Sequence, residues 1–198
     1  MEIKKYIPNA ITGLNLLAGS IAIVFIFNDK MHVSAILVCL AAVLDYLDGF
    51  TARLLNVYSN LGKELDSLAD LVTFGLTPSL ILFEYITKAE TEFTIDFYGI
   101  NLLSLAGFSV VLFSAIRLAK FNVDTRQLFS FIGLPTPANG LFIISFPLIL
   151  HFGTNDSLIY QAIAFIVSNA FITIGMALIL SFLLISELPL FSLKFKNL

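Results

Sequence analysis

Long apolar stretches alternate with short polar connections along this chain, and six of the stretches are long enough to be read as membrane-crossing helices. They cover roughly residues 9–28, 33–55, 66–87, 98–120, 136–153 and 158–186. A spanning helix needs about 20 mostly apolar residues. Backbone in hydrocarbon must bond to itself, which makes helix the default for such runs. The pattern predicts an all-α integral membrane bundle of six transmembrane helices, one domain over residues 1–198. The third stretch contains Gly75 and Pro78, which predict a kink. The fifth is short and follows GLPTPANG, where Pro135 and Pro137 predict a turn. No internal repeat or low-complexity tract is evident.

Composition agrees with the pattern. Of 198 residues, 58% are hydrophobic and 13% charged, with a mean hydropathy of +0.94; soluble domains carry about 25% charged residues. A sizeable soluble domain is excluded, and no nucleic-acid partner is expected. The first stretch follows Lys4 and Lys5 as in a signal peptide, but it is long for one and no clear small-residue cleavage site follows. It is expected to be a retained helix. The lone Cys39 lies in an apolar run and reads as a small buried hydrophobe. His32 and His151 stand apart near predicted helix ends, where interfacial side chains are expected rather than metal ligands.

Basic residues set the orientation. With the N-terminus inside, the cytoplasmic segments hold Lys4, Lys5, Arg53, Lys63, Arg117, Lys120, Arg126, Lys194 and Lys196, and the opposite side only Lys30 and Lys88. Both termini are expected in the cytoplasm.

Against this background four carboxylates stand out: Asp45, Asp48, Asp66 and Asp70, in LDYLDGFTARLLNVYSNLGKELDSLAD. A charge at membrane depth is costly, so it normally faces a cavity, a partner or an ion. At about 100° per residue, Asp45, Asp48 and Ala52 share a face of the second helix, with Gly49 beside them. Asp66 and Asp70, four apart, share a face at the start of the third, which Gly62 joins if that helix begins early enough. A short connection makes the two helices antiparallel neighbours, so the carboxylate pairs can face one cavity. Carboxylate oxygens are hard ligands suited to Mg²⁺ or Mn²⁺, ions that also hold substrate phosphates. Two such ions about 4 Å apart can clamp a diphosphate. Other readings stay open on these residues alone: a proton or cation path through a transporter, and a helix N-cap at Asp66. Gly49 and Ala52 also read as close helix packing, and Arg53 as a snorkelling interfacial side chain.

Asp45-x2-Asp48-Gly49-x2-Ala52-Arg53-x8-Gly62-x3-Asp66-x3-Asp70 is similar, without a mismatch, to the signature of the CDP-alcohol phosphatidyltransferases. The resemblance implies a dimeric six-helix enzyme whose site opens to the cytoplasm. Such an enzyme transfers a phosphatidyl or similar group from a CDP-linked lipid to an alcohol and releases CMP. Asp45, Asp48, Asp66 and Asp70 would then form a two-metal site, with Asp70 as general base. Gly49, Ala52, Arg53 and Gly62, together with Asp48, would line the CDP pocket.

Two further segments, PNAITGLNLLAG (8–19) and IRLAKFNVDTRQLFSFIGLPTPANGLF (116–142), resemble the membrane-type branch that accepts serine in bacteria and archaea. The first adds Asn9 and Thr12 to the implied CDP-lipid pocket. The branch implies CDP-diacylglycerol and L-serine as substrates and a prokaryotic plasma (inner) membrane as the location. Glycerol 3-phosphate or inositol phosphate as acceptor, on the same aspartates, is the alternative within the family. Serine is a zwitterion, and Arg117, Lys120, Asn122, Asp124, Thr125 and Arg126 supply cations and acceptors for it at a cytoplasmic helix end. The same residues also read as positive-inside anchors at lipid headgroups.

Overall fold

The computed structural model describes residues 6–89, 91, 93–123 and 133–187. Helices α1 (Tyr6–Phe27) and α2 (Met31–Leu54) form a hairpin, closed by a tight turn in which Asp29 takes a left-handed φ of 58°. After a short loop, α3 (Asn60–Asp70) runs through a π-helical turn, Leu71–Leu76, into α4 (Thr77–Lys88). This composite helix starts six residues before the predicted 66. Ser59 in extended backbone caps it, its hydroxyl accepting the Gly62 N–H at 2.9 Å. Asp66 therefore lies within the helix and does not cap it. The predicted kink takes the form of the π-turn: the Thr77 N–H bonds to the carbonyl of Val72, five residues back. Pro78, which has no N–H to give, falls where the ladder returns to α spacing.

The pattern predicts a fourth helix from residue 98, but the chain first makes a small antiparallel hairpin, β1 (Asp96–Phe97) with β2 (Ile100–Asn101). Tyr98 and Gly99 at its tip have φ of 53° and 81°, the mirror-image turn that two-residue hairpins favour. A 3₁₀ segment, Leu102–Phe108, then leads into α5 (Ser109–Val123). Helix α6 spans Thr136–Phe152. The last stretch, expected as one helix over 158–186, is broken into α7 (Leu158–Ser168) and α8 (Ala170–Ile185), bent by 98°. Asn169 explains the break: its backbone is extended and its side chain caps α8 by accepting the Ile172 N–H at 3.2 Å.

Among the described residues, four helical segments are long and apolar enough to cross a membrane, and five if the bent pair counts as one span; α6, with 17 residues, is shorter. Their outer faces carry exposed Leu14, Leu17, Val24, Val43, Phe50 and Leu178, the surface of an integral membrane protein rather than a soluble one. The core gathers Ile26, Val38, Phe74, Ile81, Leu82 and Ile143 around the π-turn. Small residues allow the close crossings there. A methyl at Gly19 would strike the Thr73 hydroxyl, and one at Gly140 the Phe74 carbonyl at 2.9 Å. At the far end, Lys88 pairs with Asp29 and with Glu84. His32 and His151, which stand apart in sequence, stack there with ring centroids 3.6 Å apart, joining α2 to α6. Cys39 is free and half-buried.

Candidate active site

The C-terminal half of α2, the N-terminus of α1 and the whole of α3 meet at one end of the bundle. Asp45, Asp48 and Asp66 each offer a carboxylate oxygen there, all within 4.8 Å of one another. Asp45 lies within hydrogen-bond reach of both Asp66 and Asp70. Four acids so close, without cations among them, repel one another unless a cation is bound. Among the described residues the ion pairs are those of Lys88 alone, so none of the four has a salt-bridge partner. The donor set is all hard oxygen, which fits a divalent ion such as Mg²⁺ or Mn²⁺ and not a thiolate-seeking metal.

Local contacts hold the acids in place. The Thr12 hydroxyl donates to Asp48 Oδ2 at 2.6 Å, and Asp48 is only 6% exposed. Asp70 is buried on the last turn before the π-turn, with its Oδ1 lacking any hydrogen-bond partner among the described residues. The π-turn itself is anchored to α1 by Thr73, whose hydroxyl donates to Asn15 Oδ1 at 2.9 Å.

Beside the acids opens a cavity of about 220 Å³. It brings together the sequence-predicted Asn9, Thr12, Asp48, Gly49, Ala52 and Gly62, with Asp66 at its inner edge. Gly49 has nothing within 4 Å of where a Cβ would stand, so its missing side chain is open space over the acids. Gly62 is the opposite case: a Cβ there would meet Asn9 Oδ1 at 2.9 Å and Ser59 Oγ at 3.0 Å. Arg53 is exposed at the end of α2 and does not line the cavity.

The wall also includes Pro8, Val57, Tyr58, Ser59 and Lys63, which the motif spacing does not single out. The x8 gap between Arg53 and Gly62 was the available signal, since a loop of that length must fold back over the motif. Lys63 reaches across to α5, its ammonium donating to the Asn122 carbonyl at 2.9 Å. The Asn122 side chain in turn donates to Ser67 at 3.0 Å and to Glu64 at 3.3 Å. Arg117 is 8% exposed and lies near Asp70, whereas Lys120 faces solvent. Asp124, Thr125 and Arg126 lie outside the described residues, as do Lys4, Lys5, Lys194 and Lys196.

Residues 5–183 match the family model for CDP-alcohol phosphatidyltransferase. The chain is 38% identical over 155 residues to a Bacillus subtilis CDP-diacylglycerol–serine O-phosphatidyltransferase, covering 76% of this chain and 82% of that one. It is 38% identical over 139 residues to the Helicobacter pylori (strain J99) protein of the same name, covering 69% of this chain and 55% of that protein. It is also 32% identical over 143 residues to an archaetidylserine synthase of Methanothermobacter thermautotrophicus, covering 71% of this chain. The matched region is thus most of the Bacillus protein but little more than half of the other two, at 55% and 57% of their lengths. With the family model spanning nearly the whole chain, and the acids, the cavity and the small residues over it in one place, the protein belongs to the CDP-alcohol phosphatidyltransferase family.

Proposed function

We propose that this protein transfers the phosphatidyl group of CDP-diacylglycerol to the hydroxyl of L-serine, giving phosphatidylserine and CMP. The observation that carries the reading is the cluster of Asp45, Asp48 and Asp66, with Asp70 next to Asp45, beside a cavity that Asp48, Asp66, Gly49 and Ala52 line. The serine-specific names of the relatives support the choice of acceptor.

Asp45, Asp48, Asp66 and Asp70 would hold two divalent cations, Mg²⁺ or Mn²⁺, which neutralise diphosphate charge and make CMP a better leaving group. The CDP moiety occupies the cavity against Asn9, Thr12, Gly49, Ala52 and Gly62, and Arg53, exposed at the end of α2 outside the cavity wall, meets lipid headgroup oxygens. Asp70 takes the proton from the serine hydroxyl. The freed oxygen attacks the phosphorus that carries diacylglycerol, and the bond from that phosphorus to the CMP oxygen breaks. Arg117, beside Asp70, meets the serine carboxylate; Asn122, one turn on, and Asp124, Thr125 and Arg126, outside the described residues, are the further acceptor contacts that the sequence offers. Attack is direct. Of the nucleophiles on the cavity wall, the Thr12 hydroxyl is bonded to Asp48, the Ser59 hydroxyl caps α3, the Lys63 ammonium bonds Asn122, and the Tyr58 ring is largely turned to the outside. Inversion at phosphorus, read from a chirally labelled CDP-lipid, is the expected stereochemistry; retention contradicts direct attack.

The site faces the cytoplasm of a prokaryotic inner membrane, the chain acts as a single domain and a homodimer, and the acyl chains stay in the bilayer. The testing experiment offers purified protein CDP-diacylglycerol and either divalent ion, with serine, glycerol 3-phosphate or inositol phosphate supplied separately. Phosphatidylserine and CMP are expected with serine alone. Product with one of the phosphorylated acceptors instead moves the chain to another branch of the family. No CMP with any acceptor, but solute flux that depends on the aspartates, marks a transporter.

A further inference from the structure

On α5 and α6, which both pack against the π-turn that follows Asp70, stands a second set of buried polar groups. Ser114, Thr136 and Asn139 are 0% exposed, and Arg117 is 8% exposed. Among the described residues, Ser114 Oγ, Arg117 Nε, Thr136 Oγ1 and both Oδ1 and Nδ2 of Asn139 have no hydrogen-bond partner, and Asp70 Oδ1 adds another such atom. Burial alone does not explain this. Ser79 and Ser181, equally buried, bond to the carbonyls of Gly75 and Ala177 one turn back, and Thr73 bonds to Asn15. The other such atoms among the described residues are Asn122 Oδ1, on α5 with Ser114 and Arg117, and the isolated Asn15 Nδ2 and Ser34 Oγ.

Helix directions place the group beside the reacting end. A Cβ at Gly75 would stand 3.3 Å from Ser114 Cβ, and one at Gly140 would stand 3.0 Å from Phe74 Cα. The π-turn is therefore clasped between α5 and α6. The His32–His151 stack puts the C-terminus of α6 at the end of the bundle remote from the acids, so its N-terminus lies at the acids' end. The bonds from Asn122 to Ser67 and Glu64 put the C-terminus of α5 at that same end. One turn from the clasp in that direction stand Asp70 (four before Phe74), Arg117 (three after Ser114) and Thr136 (four before Gly140), with Asn139 a turn from Thr136 on the same buried face. A buried polar atom left unpaired costs about 1–3 kcal/mol. Several of them next to one carboxylate mark a place where a polar ligand completes the bonding.

We infer that Thr136 and Asn139, together with Arg117, form the subsite that holds the ammonium and carboxylate of the acceptor amino acid while its hydroxyl lies at Asp70. The inference rests on the serine reading above. An ammonium needs acceptors, which Asn139 Oδ1 and Thr136 Oγ1 provide; a carboxylate needs donors, which Arg117 and Asn139 Nδ2 provide. Entry is along the Arg117–Asp70 edge, where each residue is 8% exposed, with the deeper side chains turning to meet the ligand. Lys120 faces solvent and is a poorer candidate for these contacts; the Asn122 Nδ2 is committed to α3, while its Oδ1 is one more buried acceptor without a partner at the same end of α5.

The test uses the full chain in mixed micelles with CDP-diacylglycerol and Mn²⁺, and the variants Thr136→Val, Asn139→Ala and Asn139→Leu. Serine KM is expected to rise about tenfold or more, as for the loss of one hydrogen bond to a charged group. The KM for CDP-diacylglycerol should stay within about twofold, because no cavity contact is touched. Inhibition by 3-hydroxypropionate, which lacks the ammonium, should survive Asn139→Ala better than serine affinity does, a change that lost packing alone would not give. Thr136→Val, nearly isosteric, keeps the test decisive if the Asn139 variants do not fold. Wild-type serine KM in folded Thr136→Val and Asn139→Ala overturns the subsite. Failure of the wild-type protein to use serine at all overturns the functional reading instead, so the two failures are distinct.

Discussion

At Asp48 the alignment of the site depends on one hydroxyl. The Thr12 bond at 2.6 Å crosses from α1 to α2 and fixes which carboxylate oxygen is free to face the cavity. Thr12→Val keeps the shape and removes the bond. Loss of an orienting partner typically lowers metal affinity about 10–100-fold, so the variant should need correspondingly more divalent ion for half-maximal rate, with little change in the saturated rate. The two glycines of the motif separate function from packing in the same way. Gly49→Ala enters open space and should leave thermal stability unchanged while raising the KM for CDP-diacylglycerol. Gly62→Ala strikes Asn9 and the Ser59 cap, and should lower stability as well. Equal stability losses in both would contradict the view that the space over Gly49 belongs to the nucleotide. The spacing of the aspartates made this much readable in the sequence, because helical geometry converts i, i+3 and i, i+4 into a shared face. Thr136 and Asn139 are not singled out by the resemblance of 116–142; it is the packing of Gly140 on α6 against Phe74 of the π-turn that motivates their proposed role.

The elements that carry the acids are more irregular than hydropathy suggests. Apolar runs predict where helix exists, and all six runs contain helix. They say little about where a helix starts or breaks, because those points are decided by single side-chain bonds. Ser59 advances the start of α3 to Asn60, and Asn169 cuts the last run in two by capping α8. Tyr98 and Gly99 turn an expected helical end into a hairpin. Removing the cap by Ser59→Ala should lower stability by about 1 kcal/mol, visible as a lower unfolding midpoint in detergent. It should also loosen Gly62 and with it the cavity wall. A wild-type midpoint would mean that tertiary contacts, not the cap, set the start of α3. The π-turn has its own role, since it anchors through Thr73 to α1 directly after Asp70.

On the proposed reading the whole molecule is a membrane-embedded, metal-dependent transferase with its site toward the cytoplasm. The loop between α6 and α7 then faces outward, and the start of α3 inward. In a Cys39→Ser background, Asn155→Cys should react with an impermeant maleimide in intact cells, and Asn60→Cys only after the membrane is opened. The reverse pattern would invert the topology. The central claim is that the four carboxylates are where a CDP-linked lipid is cleaved by serine. The most direct measurement is serine-dependent CMP release from CDP-diacylglycerol at saturating Mn²⁺, comparing wild type with Asp70→Asn and Asp45→Ala, alongside CDP-lipid binding. General-base loss typically costs about 10²–10⁴ in rate. Asp70→Asn should lose at least that much while retaining much of its CDP-lipid binding, and Asp45→Ala should lose metal binding as well as turnover. Wild-type CMP release by either variant would contradict the account.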